Sequence, residues 1–418
     1  MTVTFSIPLD IPDVEIIEVK QDKQGSYLIT VESTLDYAYC HVCGREITRY
    51  KGHDRPITLR HLPILGHAVY VQLRPKRFEC PYCAHKPSST QQLSWYKPKS
   101  PHTIAYEEHI LLQLVNSTIQ DVALKTGLGY EAVAGIVDRY LARQVDWTTL
   151  DRLEVLGLDE IALKKGHDDY VVIVTARLSD GQVKLLTILP DRDKATVKDF
   201  LAHIPLRLHR TIHTVCTDMW KAYIQAAQEV LGQAIIVIDR YHLAKKYRAC
   251  ADTLRKQEQA RLKAELPAAE YQSLKGAMWA FRKNKTDLDT PQAEVLARLF
   301  TYAPALKTAY DFREALTAIF EQDLTKTQAT QAIQTWRKEV ETSDLKCFDP
   351  FLTTLDTYLD EITNYFLQRQ SSGFVEGLNN KIKVLKRRCY GLTNLNHFFQ
   401  RLSLDLEGYR LFAAPHYI

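Results

Sequence analysis

Leu153-Glu-Val-Leu-Gly-Leu-Asp-Glu160 is a short apolar run that ends in two acids. Its length and aliphatic content fit a buried strand rather than a helix. Outward from it, Tyr170–Leu178 and Val183–Leu189 read as strands flanking Ser179-Asp-Gly-Gln182, a hairpin signal. Thr196–Ile204 is helical, Ile212–Thr217 is a strand ending at Asp218, Lys221–Leu231 is a helix, and Ala234–Ile238 is a strand ending at Asp239. The order β-β-β-α-β-α-β predicts a mixed sheet with helices on its faces. If the strands before Asp159 and Asp218 are neighbours, both carboxylates emerge at one edge. Adjacent carboxylates repel unless a cation lies between them, and a hard divalent ion such as Mg²⁺ prefers such an oxygen environment. Taken singly, either acid reads equally well as a strand-end cap.

The chain has 418 residues, 45% hydrophobic and 25% charged, which predicts several domains and excludes fibrous or wholly disordered classes. No apolar run is long enough to span a membrane. Met1-Thr-Val-Thr-Phe-Ser6 has neither the basic start nor the apolar core of a secretion leader, so a cytoplasmic protein is expected. The net charge of +4 identifies no partner by itself.

In a cytoplasmic chain eight cysteines are not read as four disulfides. Cys40-His-Val-Cys43 and Cys80-Pro-Tyr-Cys83 are two tight knuckles. Four thiolates so arranged close a tetrahedral structural zinc site with no open position. The 36 residues between the pairs exceed the common spacing, and a strand hairpin such as His67–Arg74 would fill part of them. The segment is also rich in Lys and Arg, which favours phosphate contact. Residues 86–101, polar with Pro87, Pro98 and Pro101, read as a linker.

Residues 118–143 then fit helix, glycine turn, helix. Val133, Ile136, Val137, Tyr140 and Leu141 make one apolar stripe on the second helix, leaving Arg139 and Arg143 among its polar residues as DNA-contact candidates. Residues 243–368 are almost entirely helical in composition. A last amphipathic helix carries Val375, Leu378, Ile382 and Leu385 on one side. From Glu376, residues Asn380, Lys383 and Arg387 follow at i+4, i+7 and i+11, and Lys381, Lys386 and Arg388 thicken the basic run. An acid that completes a metal site and continues into a phosphate-gripping face suits phosphoryl transfer on DNA.

The strings Gly157-Leu-Asp-Glu-Ile-Ala-Leu-Lys-Lys-Gly-His167, Leu189-Pro-Asp-Arg192, Ile238-Asp-Arg-Tyr-His242 and Val375-Glu-Gly-Leu-Asn-Asn-Lys-Ile-Lys-Val-Leu-Lys-Arg-Arg-Cys-Tyr-Gly391 resemble the DDE transposases of bacterial insertion sequences, of the ISL-three type. The resemblance implies a multidomain α+β protein with five parts. These are an N-terminal β and zinc-ribbon-like module (1–100), a helix-turn-helix domain (101–150), an RNase H-like mixed α/β core (151–242), an all-helical insertion (243–368), and the last part of the core with a basic helix (369–418). The motif, not the spacing, chooses Asp159 over Glu160, and it makes Asp159, Asp218 and Glu376 the catalytic triad. It implies two Mg²⁺ (or Mn²⁺) ions on the triad, one structural zinc, and Asp239 and His242 close to the metals. It further implies double-stranded DNA as partner (element ends bearing terminal inverted repeats, and target), a homodimer, and a nucleoid-associated location. A nuclease that cuts without joining, or a non-catalytic DNA-binding regulator, are the alternative readings.

Overall fold

The computed structural model describes residues 8–162, 170–370, 373–389 and 394–413, without the side chains of 373–376 and 379. Two compact units are present, Met1–Leu141 with Ser403–Ile418, and Ala142–Leu402.

The first unit begins with nine strands: β1 Val14–Gln21, β2 Tyr27–Ser33, β3 Ala38–Tyr39, β4 Glu46–Ile47, β5 Arg49–His53, β6 Ile57–Ile64, β7 His67–Leu73, β8 Lys76–Glu79 and β9 Ser88–Thr90. They form sheets of order β1-β2-β7-β6, β3-β4 and β5-β8-β9. The β1–β2 hairpin turns through Gly25 at φ +89°, a conformation that side chains resist. Alternation along β7 sends Val69, Val71 and Leu73 into a core with Ile29, Val31 and Leu59. Leu93, Trp95 and Tyr96 bury into the same core, so residues 86–101 are a packed segment and not the linker their prolines suggest.

Three helices follow: α1 Ile104–Leu114, α2 Ile119–Thr126 and α3 Tyr130–Tyr140. Thr103 and Thr118 cap the first two by accepting from the Tyr106 and Asp121 amides. Gly127, at φ +68°, stops α2 as the glycine turn requires. Val133, Ile136 and Val137 are buried on α3, as their spacing predicts. The helix ends at Tyr140, however, with Leu141 extended as its cap, so Arg143 lies beyond the helix that was to present it.

The second unit holds β10 Glu154–Ala162, β11 Tyr170–Arg177, β12 Val183–Leu189, α4 Lys194–His203, α5 Leu206–His209, β13 Ile212–Thr217, α6 Lys221–Val230 and β14 Ile235–Ile238. Apart from the short α5, this is the expected order. The sheet runs β12-β11-β10-β13-β14, antiparallel through β12, β11 and β10 and parallel through β10, β13 and β14. Both faces are covered, which explains the near-continuous burial of β10, β11 and β13. A helical run follows: α7 Arg240–Glu265, α8 Ala268–Ser273, α9 Ala277–Ala280, α10 Thr290–Tyr302, α11 Pro304–Glu321, α12 Lys326–Thr342, α13 Asp349–Thr363 and α14 Tyr365–Gln368. Next comes α15 Gly373–Arg388, which contacts β10.

The helix α15 is not the last one. A further helix, α16 Leu395–Phe412, follows it. Residues from Ser403 onward count with the first unit, where Leu404 joins the core of α1–α3 and the Asp405 carboxylate accepts from the Asn116 amide at 3.0 Å. Gly408 fits there because an added Cβ would meet a Val115 methyl at 2.5 Å.

Candidate active site and metal centre

The register of the parallel strands decides what meets at their carboxyl ends. Leu158 on β10 pairs with Thr217 on β13, and Thr217 pairs with Ile238 on β14. Asp159 follows on β10, which runs on to Ala162, whereas Asp218 and Asp239 come directly after β13 and β14, so three aspartates stand in a row across the sheet. Asp159 is 6% exposed and Asp239 4%. Burial pushes the Asp218 carboxyl up to about 6, with Glu160 and Asp159 adding repulsion, while the Trp220 amide and His242 act the other way.

Asp239 and His242 do not end a strand. β14 stops at Ile238, and Asp239 caps α7 by accepting from the Tyr241 amide at 2.9 Å. His242 thus falls in the first turn of α7, its Nε2 3.7 Å from Asp159 Oδ1. Burial works against protonation of His242, yet Asp159, helped by Asp239 and Asp218, holds its pKa above the usual histidine value.

Sequence spacing could not separate Asp159 from Glu160; the structure gives them different neighbours. Arg192 Nη1 donates to Glu160 Oε2 at 3.2 Å. The Arg192 guanidinium lies 4.6 Å from the Tyr170 ring centre and 4.4 Å from that of Trp220. This clamp was not anticipated, although Leu189-Pro-Asp-Arg192 signalled the position. Tyr223 was also missed. It is fully buried, its hydroxyl has no hydrogen-bond partner among the described residues, and burial, helped by Glu160, Asp218 and Asp159, holds it protonated. An orphaned buried hydroxyl beside three carboxylates fits a site completed by a cation or water.

Glu376 lies in α15, and its side chain is outside the described residues. Leu378, Ile382 and Leu385 are buried beneath that helix. Asn380, Lys383 and Arg387 are exposed, one row along the helix, while Lys381, Lys386 and Arg388 are half-buried. Lys386 Nζ donates to the Ala162 carbonyl at the end of β10, tying α15 to the catalytic sheet. Residues 163–167 and Tyr390-Gly391 of the quoted motifs lie outside the described residues.

In the first unit, Cys40, Cys43, Cys80 and Cys83 bring their sulfurs within 4.8 Å of one another, the only such metal-ligating group among the described residues. Cys40 and Cys83 are 3.9 Å apart, and Cys43 and Cys80 are 3.7 Å apart. Tetrahedral zinc with Zn–S of about 2.3 Å sets sulfurs roughly 3.8 Å apart, so the four fit the ion. The Cys43 amide, with that of Val42, draws the Cys40 thiol down to about 6, towards the thiolate a metal needs. Beside the first knuckle, His41 Nδ1 is 2.9 Å from Ser89 Oγ. The long gap between the pairs is accounted for by β6 and β7, which leave the knuckles to build the larger sheet.

Arg139 on α3 is engaged inside its own unit. Its guanidinium donates to Glu107 on α1, a carboxylate with 0% exposure that also accepts from Ser100 Oγ at 2.8 Å. No helix among the described residues is long and apolar enough to cross a membrane.

Comparison with known proteins gives the same three parts in the same order. The model of the zinc-finger of transposases IS204/IS1001/IS1096/IS1165 matches residues 36–83, and that of the helix-turn-helix domain of transposase family ISL3 matches residues 91–141. The ISL3 DDE model, described as transposase, matches residues 156–402. The transposase for insertion sequence element IS1001 of Bordetella parapertussis is 28% identical over 94% of this chain and 95% of its own. The transposase for insertion sequence element IS1557 of Mycobacterium tuberculosis is 26% identical over 89% of this chain and 86% of its own. The DDE model spans more than half of the chain, with its metal-binding and DNA-binding modules matched ahead of it, and the chain therefore belongs to the ISL3 family of DDE transposases.

Proposed function

We propose that Asp159, Asp218 and Glu376 are the triad of this transposase, and that the protein cuts the ends of an insertion sequence and joins them to target DNA. The observation that carries the reading is the row of aspartates, in which Asp218 is raised to about 6 beside Asp159 and Asp239. Carboxylates are crowded this way where a divalent cation is to be held. Two Mg²⁺ or Mn²⁺ ions bound there would supply activation of the attacking oxygen and stabilisation of the leaving one.

The chain's own residues do the rest. Asp159 and Asp218 present ligand oxygens from rigid strand ends, and Glu376 supplies the third from α15. His242 stands next to Asp159 as a charged neighbour that limits the net negative charge before metal arrives. Asp239 orients the start of α7 through its bond to the Tyr241 amide. Asn380, Lys383 and Arg387 offer phosphate contacts along one exposed row, continuing from Glu376. Lys386 holds that helix against β10, and Arg388 and Lys381 add positive charge beside the row. The zinc module and the helix-turn-helix bind the terminal inverted repeats, with Arg139 as support for α3 through Glu107. Because an element has two ends, a homodimer holds both.

The test is a cleavage-and-joining assay with Mg²⁺, using DNA that carries the element's own ends and a target plasmid. Wild type should give joined product, and Asp159→Asn, Asp218→Asn and Glu376→Gln should each lose it by about 10³-fold or more while still retarding end DNA. Cleavage without joining would instead establish a nuclease. Retardation without processing in every protein would leave a regulator.

A further inference from the structure

The helix α7 starts at the catalytic aspartates and leads away from them into the helical region. Its buried side carries Leu243, Tyr247, Cys250 and Ala251. On the other side Tyr241, Lys245 and Arg248 follow at i, i+4 and i+7, all exposed. Facing this stripe is the segment Lys275-Gly-Ala-Met-Trp-Ala-Phe-Arg-Lys-Asn-Lys285, which has four cations and no acid. Gly276 opens it at φ +91°. Ala277, Ala280 and Phe281 are buried and fix it from below. Buried Arg313 donates to the Phe281 and Lys283 carbonyls and locks it from the side.

This support presents one aromatic outward, among exposed cations. Trp279 is 72% exposed, with the Arg282 guanidinium 5.2 Å from its ring centre. A large aromatic held in water by a well-packed turn is out of place unless something covers it. Arg282 also lines a cavity of about 370 Å³, together with Tyr241, Lys245, Arg248, Asp252 and Phe281. The acid in that lining, Asp252, is taken up by Arg255 and by Arg282, the latter at 3.0 and 3.1 Å. Arg248 and Lys283 bond to neutral Asn284 and Gln292, so their charges are not cancelled. A cationic groove with an aromatic platform is what binds single-stranded nucleic acid, in which phosphates meet the cations and a base stacks on the ring.

We infer that this pocket takes an unpaired nucleotide of the DNA strand leaving the catalytic acids, with its phosphates on Lys245 and Arg248 and its base on Trp279. From Asp239 to Arg248, α7 rises about 14 Å, roughly four nucleotide steps along a DNA strand. The inference rests on the reading that Asp159 and Asp218 process DNA, and it adds a site that holds the strand next to the cut.

The test uses the full-length protein and two readouts. In the first, end DNA with an unpaired flank carries 5-iododeoxyuridine at successive positions, and photocrosslinks are mapped by mass spectrometry. A crosslink on Trp279, within a few nucleotides of the cut, is expected. In the second, a fluorescent single-stranded 12-mer is titrated. Trp279→Ala and the pair Lys245→Glu with Arg248→Glu should each weaken binding about tenfold, and Trp279→Phe should restore most of it. Thermal melting shows that the exposed-site variants are folded. Crosslinks confined to other segments, or affinities all within twofold of wild type, overturn the pocket. Scoring the same DNA for cleavage and joining separates the two ideas. Product without a strand at Trp279 removes the pocket alone, whereas a strand at Trp279 without product removes the transposition reading alone.

Discussion

Two buried carboxylate sites in this molecule are built in opposite ways. In the first unit Glu107 lies against Arg139, with Ser100 Oγ bonded to it and His102 Nδ1 3.5 Å away. Burial pushes its carboxyl up, but the bonds from His102, Arg139 and Ser100 together hold it down at about 2. In the second unit Asp218 sits near Asp159, Asp239 and Glu160, and burial raises it to about 6. The first site brings its own cation, Arg139. In the second, His242 is a close neighbour of Asp159 and Arg192 is directed to Glu160. The difference separates a structural charge from a functional one. On the proposed reading, Glu107 is a packing charge held by Arg139, whereas the row of aspartates is kept for a cation.

The four cysteines extend this contrast and give the largest expected effect. They too are crowded ligands, sitting over a core of only Ala38, Ile47 and Phe78. Such a core is too small to hold five short strands unaided, and structural zinc contributes about 10 kcal/mol or more to domains of this kind. Cys80→Ser should reduce bound zinc from one per chain to none by elemental analysis. It should also remove hydrogen-exchange protection from β3–β5 and β8–β9. Retained protection without zinc would mean that the knuckles stand on packing alone.

Much of this was legible in the sequence because it is local. An apolar run ending in Asp is visible at Asp159, Asp218 and Asp239, and the C-x2-C knuckles are visible as they stand. The helix-turn-helix follows from one stripe and one glycine. What was not legible depends on partners far along the chain. Trp95 and Tyr96 look like linker residues until β7 and β6 supply the core beneath them. Arg139 looks like a DNA contact until Glu107, 32 residues earlier, takes its guanidinium. Leu404 and Gly408 show no reason to leave the catalytic unit until α1 and Val115 are placed beside them. His242 looked like a strand end because the cap that starts α7 is Asp239 itself, an acid already assigned elsewhere.

The next effect tests the carboxylate held by Arg139. Arg139→Ala leaves the Glu107 charge buried without its main partner, which costs about 3–5 kcal/mol in the first unit. Glu107→Gln should cost less, since it removes the charge together with the bond. Acid should act on wild type in the same direction. The folded pKa of Glu107 lies below its ordinary value, so its contribution is present above about pH 4.5 and is lost as pH falls towards 2. That is about 3 kcal/mol in all. Chemical denaturation of wild type and Glu107→Gln across this range, followed by fluorescence, measures it. The two proteins should converge at the acid end. Equal slopes throughout would mean that Arg139 does not hold this carboxylate ionised.

The smallest effect is the most discriminating because its sign is reversed. Asp218 has a folded pKa above its ordinary value, so the folded protein binds the extra proton. Stability of the metal-free protein therefore falls as pH rises from about 4 to 6, and above that range the buried charge costs up to about 3 kcal/mol. In EDTA at pH 7.5, Asp218→Asn should be more stable than wild type by up to that amount, although on the proposed triad it should lose strand transfer. Added Mg²⁺ should raise the wild-type melting point and leave that of the variant nearly unchanged, because a ligand that binds only the folded state stabilises it by mass action. The same change, acid to amide, would then weaken the fold at Glu107 and strengthen it at Asp218. If Asp218→Asn melted lower than wild type without metal, Asp218 would belong with Glu107 as a packing charge. The row of aspartates would then lose its claim as the place where the cation is held.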